Sequence, residues 1–254
     1  MSRFFVAPED IGARTIEITD KGDLHHMRKV LRMKPGDEVD VSDSDRFEYR
    51  ARIETLEADS ALLTILDKQA FAREPETKVT LFQGIPKQGK MEAIVQKCVE
   101  LGVYEIVPVF MERTVVVDKG KMGKKTERWQ KVASEAVKQC RRGIIPQVRE
   151  PQVMKEVIGE LGTFDLVIIP YENEEKTTIK QVLKEFVRGS ASPEEHLSGK
   201  RIAVIIGPEG GFSDDEVDSV LAAGGHSATL GRTTLRTETA GPAALAMINY
   251  ELEL

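Results

Sequence analysis

Cysteine is nearly missing from this chain: Cys98 and Cys140 are the only two in 254 residues, with no C-x-x-C pair and no histidines at zinc spacing. That argues against a disulfide framework and against a structural zinc site, and it points to a reducing, cytoplasmic compartment. Long apolar runs are missing too. The best, Ile202 to Ile206, stops at a glycine, far short of the roughly 20 residues that span a bilayer, so no membrane insertion is expected. The first residues, Met1 to Ile11, are interrupted by Pro8, Glu9 and Asp10 and build no signal-peptide core, so the mature protein is expected to begin here. An excess of positive charge is also lacking, since the net charge is -6. This lowers the expectation of a nucleic-acid partner without excluding one, because binding depends on where basic groups cluster.

What is present is ample core material. Hydrophobic residues make up 41% and charged residues 31%, with aromatics at only 6%, a globular composition whose length fits two unequal domains. From Phe4 to Leu66 the pattern is short and turn-punctuated, with β-forming clusters at Thr15–Ile18, Glu38–Val41, Tyr49–Ile53 and Leu62–Leu66, and a turn at Pro35-Gly36-Asp37. Within it, Asp23 to Arg32 sets Leu24, Met27, Val30 and Leu31 at helical spacing and leaves Arg28, Lys29 and Arg32 on the other faces. The polar, proline-containing stretch Phe71 to Thr77 places a boundary near residue 72. The domains predicted are therefore 1–72, small and β-rich, and 73–254.

Beyond residue 72 the rhythm becomes strand, helix, strand. Strands are expected at Val79–Phe82, Ile106–Phe110, Leu166–Ile169, Ile202–Ile206 and Ala228–Leu230. Helices are expected at Gly89–Leu101, Arg128–Cys140, Thr178–Val187, Asp214–Ala223 and Ala243–Glu251. This alternation predicts an α/β domain with a mostly parallel sheet. Ser213-Asp214-Asp215-Glu216 reads as a capping box, and Gly224-Gly225 ends that helix. Cys98 and Cys140 sit among helical valines, as buried inert thiols do.

Three strand ends carry the chemical interest. RIAVIIGPEGGFS (residues 201 to 213) runs a buried strand into a glycine-rich turn and then a capped helix. Ligands of open α/β sheets bind outside the carboxyl ends of strands, where glycines let backbone N–H groups approach closely. The turn has neither the P-loop nor the dinucleotide pattern, so the ligand need not be a polyphosphate; a plain ligand-free turn is the competing reading. LGRTTLRTETA (residues 230 to 240) leaves a second strand and leads to a final helix with Pro242 in its first turn. Thr237 or Thr239 is either a helix cap or part of a site. A third end, Ile169-Pro170-Tyr171-Glu172, supplies another wall, unless Pro170 only stops the strand.

Together with KQGKMEAIVQKCVELG (residues 87 to 102), WQKVASEAVKQCRRGIIP (residues 129 to 146), Arg3-Phe4-Phe5-Val6 and His25 to Arg32, these stretches closely resemble the bacterial 16S ribosomal RNA uridine N3-methyltransferases, the uracil-1498 family of the SPOUT class. The likeness covers nearly the whole chain. It implies a PUA-like β-barrel that holds RNA, an α/β methyltransferase domain with a C-terminal trefoil knot, S-adenosylmethionine (SAM) as methyl donor, no metal, and a homodimer acting on 16S ribosomal RNA, within the small ribosomal subunit. Carried onto these positions, the SAM pocket falls on Ile169, Pro170, Gly207, Glu209, Gly210, Leu230, Gly231 and Leu235. At Arg142 the family pattern leads us to expect a smaller residue.

Methylation of uridine N3 requires alignment of nucleophile, methyl and sulfur, and it requires N3 to lose its proton. Either a carboxylate accepts that proton or a cation stabilises the uracil anion. Glu238 is the candidate acceptor and Arg236 or Arg113 the candidate stabiliser, with a structural Arg236–Glu238 ion pair as the alternative. Because N3 lies on the Watson–Crick edge, the base must be unpaired or flipped. Candidate RNA contacts are Arg3, Arg28, Lys29 and Arg32 in the first domain and Lys87, Lys90, Arg141 and Arg142 in the second; each such cluster could equally be a solvated basic face. His25-His26 reads as hydrogen-bonded structure rather than a metal site. The apolar C-terminal helix fits a dimer seam or docks within its own domain. A non-catalytic RNA-binding assembly factor is the alternative function. An oxidoreductase with nicotinamide on the GPEGG turn lacks its acidic residue in a G-x-G-x-x-G setting.

Overall fold

The computed structural model describes residues 2–71, 74–87, 89–118, 120–188, 197–252 and 254, and it divides into two compact units. The first comprises Met1–Glu74 with the returning segment Val137–Ile145, and the second Pro75–Ala136 with Pro146–Leu254. The boundary expected at residue 72 lies outside the described residues.

The first unit is built on period-two strands. β1 (Arg3–Phe5), β2 (Thr15–Ile18), β3 (Glu38–Ser42), β4 (Phe47–Leu56) and β5 (Ala61–Ala70) form one sheet in the order β1-β3-β4-β5-β2. β1 runs parallel to β3 and the remaining pairs are antiparallel. Along β4, Tyr49, Ala51 and Ile53 point into the core while Arg50, Arg52 and Glu54 face solvent. Register shifts at Arg50/Ala51 and Ile53/Thr55 bend this long hairpin. Leu24 and Met27 join the same core. They come from α1 (Lys21–His25), which begins two residues before the sequence pattern suggests and passes into a π-helical turn, His26–Val30. Asp20 sets that start, because its carboxylate accepts from the Asp23 N–H.

The second unit is a seven-stranded parallel sheet with helices on both faces. Its strands are β6 (Lys78–Gly84), β7 (Glu105–Phe110), β8 (Gln147–Val148), β9 (Gln152–Val153), β10 (Leu166–Pro170), β11 (Arg201–Ile206) and β12 (His226–Ala228). The order is β12-β10-β11-β6-β7-β8, with β9 also paired to β7. The helices are α2 (Lys90–Glu100), α3 (Met122–Cys140), α4 (Met154–Glu160), α5 (Ile179–Arg188), α6 (Asp214–Ala222) and α7 (Thr237–Leu252). Ala203 and Ile205 of β11 pack into the cluster that holds Val157 of α4 and Val217 and Val220 of α6. The alternate residues Ile202, Val204 and Ile206 are buried as well, and α7 packs on β11 and β6. A strand covered on both faces reads as an unbroken apolar run, which is why RIAVII gives no alternation.

Several elements differ from the sequence expectation. α3 starts at Met122 rather than Arg128: the polar GKKTE stretch hides buried Met122, Thr126 and Trp129, which share one helical face with Ala133 and Val137. α7 starts at Thr237 rather than Ala243, so Pro242 lies inside it and not in its first turn. β12 lies at His226–Ala228, two residues upstream of the expected strand, and α4 is a helix for which the sequence offers no expectation. Cys98 is wholly buried and burial pushes its thiol up, as an inert core cysteine requires, whereas Cys140 is half-buried. No described helix is long and apolar enough to cross a membrane.

Candidate active site

β12, β10 and β11 are consecutive neighbours in the parallel sheet, so their carboxyl ends, at Ala228, Pro170 and Ile206, open side by side. The two glycine-bearing ends do not touch directly, because β10 lies between them. The three following loops enclose one cavity of about 860 Å³. Its walls include Pro170, Ile206, Gly207, Leu230, Gly231 and Leu235, an apolar slot beside exposed backbone.

Local chemistry explains how the loops hold. Gly84 at the end of β6 touches the 207–211 turn so closely that a Cβ there would lie 2.5 Å from the Pro208 nitrogen. Gly211 adopts φ +69, and a side chain there would collide with the Glu172 carboxylate. The capping box is formed as its pattern predicts: the Glu216 carboxylate accepts from Ser213 N–H at 3.0 Å and the Ser213 hydroxyl from Glu216 N–H at 3.4 Å. Glu216 also accepts from Glu112 N–H at 2.8 Å. Beneath the cavity, the Gln83 amide donates to the Thr237 hydroxyl at 2.9 Å, and that hydroxyl donates to the Gly207 carbonyl at 2.7 Å. Gln83 sits in no motif, and although Thr237 lies in the 230–240 stretch, its bond to the Gly207 carbonyl joins segments 30 positions apart and leaves no local signal.

The remaining wall comes from the segment after β10. The Glu174 carboxylate accepts from the Ser227 hydroxyl at 2.7 Å and from the N–H groups of Thr177 and Lys176, which hold its pKa down to about 2.

The expected site residues divide into two groups. Pro170, Gly207, Glu209, Leu230, Gly231, Leu235, Arg236 and Glu238 all line the cavity, as does Lys90, which the sequence reading places with RNA. Ile169, Gly210 and Arg113 do not line it. Ile169 is fully buried in the core behind, and the Arg113 guanidinium donates to the Gly210 carbonyl at 3.1 Å, so both are committed to the turn's support. Glu238 pairs with Lys90 at 3.2 Å, in place of the Arg236–Glu238 ion pair that was the alternative to a catalytic role. Its own backbone N–H, then Lys90 and Arg236, hold the Glu238 carboxyl below the usual range, making it a weaker base than a free carboxylate. Among the described residues no group of three or more His, Cys, Asp or Glu side chains could hold a metal ion.

The basic residues of the first unit also divide. Arg142 is buried and ion-paired with Glu74 at 2.8 Å, whose carboxylate also accepts from Gly143 and Ile144 N–H, so Arg142 is a structural pin and not an RNA contact. The backbone position that favours a small residue is its neighbour Arg141, at φ +61. Arg3 is tied to Glu48 and to the carbonyls of Arg141 and Arg142. Arg28, Lys29 and Arg32 stand exposed on or just after the π-helical turn. A second cavity, about 350 Å³, is lined by Ser2, Arg3, His26, Asp40, Lys138, Gln139 and Arg141. Lys87 contributes its backbone N–H to Glu209 at 3.0 Å.

Comparison with known proteins places this geometry. Residues 73–249 match a family model described as an RNA methyltransferase domain, and residues 18–66 one described as an RNA methyltransferase PUA domain. A ribosomal RNA small subunit methyltransferase E from Bacillus subtilis is 33% identical over 95% of this chain and 92% of its own length. One of the same name from Synechocystis is 32% identical over 99% of this chain and 78% of its own length. Among solved structures, a ribosomal RNA small subunit methyltransferase E from Neisseria gonorrhoeae bound to S-adenosyl methionine superposes with a TM-score of 0.80 at 28% identity, covering 98% of this chain and 97% of that one.

Proposed function

The chain belongs to the ribosomal RNA small subunit methyltransferase E family, and on that premise we propose that it methylates N3 of a single uridine in 16S ribosomal RNA, the uracil-1498 position, with SAM as donor. The observation that carries this reading is the single cavity formed where the ends of β12, β10 and β11 lie side by side. Its 860 Å³ lies in the range of small-molecule cofactor sites. The residues fit the group. Ile206, Leu230 and Leu235 offer an apolar slot for a flat base, and the glycine turns at 207–211 and at 231 bring backbone donors and acceptors within reach. Bound there, SAM supplies an activated methyl.

This chain's own residues would then orient the base and manage its proton. Arg236 lines the cavity and makes no ion pair with a described residue, so its guanidinium is free to stabilise negative charge on the uracil carbonyl oxygens. Glu238, held anionic by its own backbone N–H and by Lys90, is better suited to positioning than to accepting the N3 proton. We therefore favour stabilisation of the uracil anion, with the N3 proton lost to solvent water, over general-base catalysis by Glu238. Arg28, Lys29, Arg32 and Arg141 supply exposed positive charge for phosphates. Family membership also implies a C-terminal knot and a homodimer in the cytoplasm. The path of the chain supports the knot, since α7 follows β12 at the sheet edge yet packs back over β11 and β6. The outward face of α7, with Tyr250 82% exposed, supports the dimer seam.

The test is methyl transfer from labelled SAM to small ribosomal subunits lacking the native mark and to naked 16S RNA, with the product located by reverse-transcription arrest. Arrest at one uridine is expected. SAM binding without incorporation would reassign the substrate, and no SAM binding would favour a non-catalytic assembly factor.

A further inference from the structure

Lys90 opens α2, a helix whose N-cap, Gly89, sits at φ +64 and offers no side-chain cap. Just before this helix, the Glu209 carboxylate accepts from Lys87 N–H at 3.0 and 3.3 Å. The same carboxylate lies 3.1 Å from the Lys90 ammonium, and that ammonium lies 3.2 Å from the Glu238 carboxylate. One cation thus joins three separate segments, α2, the 207–211 turn and the first turn of α7, at the wall of the candidate cofactor cavity. All three side chains are about a third exposed or less.

We propose that Lys90 is a positioning residue for methyl transfer, the shared counter-ion that lets Glu209 and Glu238 face one cavity and fixes the 207–211 turn to the start of α7. The inference rests on the methyltransferase reading above. It removes Lys90 from the expected RNA contacts, because its ammonium already sits between two carboxylates of its own chain. Without that charge, two carboxylates from different segments repel across a partly desolvated wall, and the loops they belong to separate. Of the other charged groups on these elements, Arg236 bears on Glu238, and Glu92 of α2 is paired with Arg128 at 3.0 Å.

The charge states follow the geometry. Hydrogen bonding to Glu209, then to Glu238, raises the Lys90 pKa above its ordinary value, so it stays an ammonium. Burial pushes the Glu209 carboxyl up, but its own N–H, the Lys90 ammonium and the Lys87 N–H together hold it below the usual range. Both carboxylates are therefore ionised throughout the neutral and mildly acidic range while Lys90 is present.

The experiment measures SAM affinity against pH, 16S RNA affinity against salt, and thermal unfolding, on the full chain and on Lys90→Met, Lys90→Arg and the pair Lys90→Met with Glu238→Gln. Lys90→Met is expected to weaken SAM binding about tenfold, a coupling of ordinary size for a charge network. Its SAM affinity should also acquire a titration between about pH 4 and 7 that the parent lacks, as one of two unpaired carboxylates takes up a proton. Lys90→Arg should stay within about threefold of the parent, and adding Glu238→Gln to Lys90→Met should recover part of the loss by relieving the repulsion. RNA affinity should not move. Unchanged SAM binding with weaker, less salt-dependent RNA binding would overturn the proposal in favour of a phosphate contact. Lost SAM binding with no new titration and no recovery in the double variant would overturn it in favour of direct contact with the cofactor. The unfolding data form a double-mutant cycle between Lys90 and Glu238 that needs no SAM; zero coupling there overturns the latch even if the methyltransferase reading itself fails.

Discussion

The Thr237 hydroxyl donates to the Gly207 carbonyl at 2.7 Å, joining the first residue of α7 to the turn that leaves β11, 30 positions earlier in the chain. The same oxygen accepts from the Gln83 amide, so one buried hydroxyl satisfies a donor and an acceptor from two different strand ends.

Thr237→Val keeps the shape and removes both bonds. It leaves the Gly207 carbonyl unpaired in a buried setting, at a cost of about 1–3 kcal/mol. Urea unfolding should register that loss and calorimetry a weaker affinity for SAM, while Thr237→Ser restores both; a neutral Thr237→Val variant would mean that water replaces the hydroxyl.

Arg142 and Glu74 form a buried pair, each less than a tenth exposed. Truncating either partner of such a pair costs about 3–5 kcal/mol, because the survivor is left charged and desolvated. Arg142→Ala should therefore destabilise the protein strongly in chemical denaturation yet leave the SAM affinity of the remaining folded protein unchanged. A stable Arg142→Ala variant with impaired RNA binding would restore Arg142 to the RNA contacts.

Charge reversal at Arg28 and Arg32, both exposed, should weaken 16S RNA binding and make its salt dependence shallower while SAM binding stays intact. Filter binding at several salt concentrations would measure this. Equal loss of both ligands would place the RNA surface elsewhere.

Glu174 supplies the pH dependence. Its folded pKa, about 2, lies below the ordinary glutamate value, so its hydrogen bonds to Ser227, Thr177 and Lys176 stabilise the folded state fully above about pH 4.5. That contribution falls away as the pH drops from there through about 2. Glu174→Gln should accordingly be less stable than the parent at neutral pH and approach it in strong acid. Unfolding curves across that range decide it, and a constant difference at every pH would show that the carboxylate charge is irrelevant.

Much of the fold is legible in the residues because the signals are local. The capping box at Ser213 to Glu216, the strand at Thr15–Ile18 and the apolar run at Ile202–Ile206 each follow from spacing and burial. The misses share one cause. α7 starts six residues early because Thr237 finds partners on β6 and on the 207–211 turn, and α3 extends back to Met122 because buried neighbours reward a face that composition hides.

The site was legible in part for the same reason. Glycine turns after strands mark a ligand cavity from sequence alone, since only the backbone conformation and its close approach are needed. Residue patterns alone carry the two building styles, the expectation of a mostly parallel sheet and the family resemblance, because these are local signals. Which strand ends adjoin, and which charges stay free, emerges only on folding. Arg141 and Arg142 are neighbours of one residue type, yet one is exposed at φ +61 and the other is buried against Glu74. Lys90 reads as one more basic residue until Glu209 and Glu238 arrive from 119 and 148 positions away to occupy it. An ion pair depends on distance and desolvation, and neither is encoded in the spacing of residues along a chain.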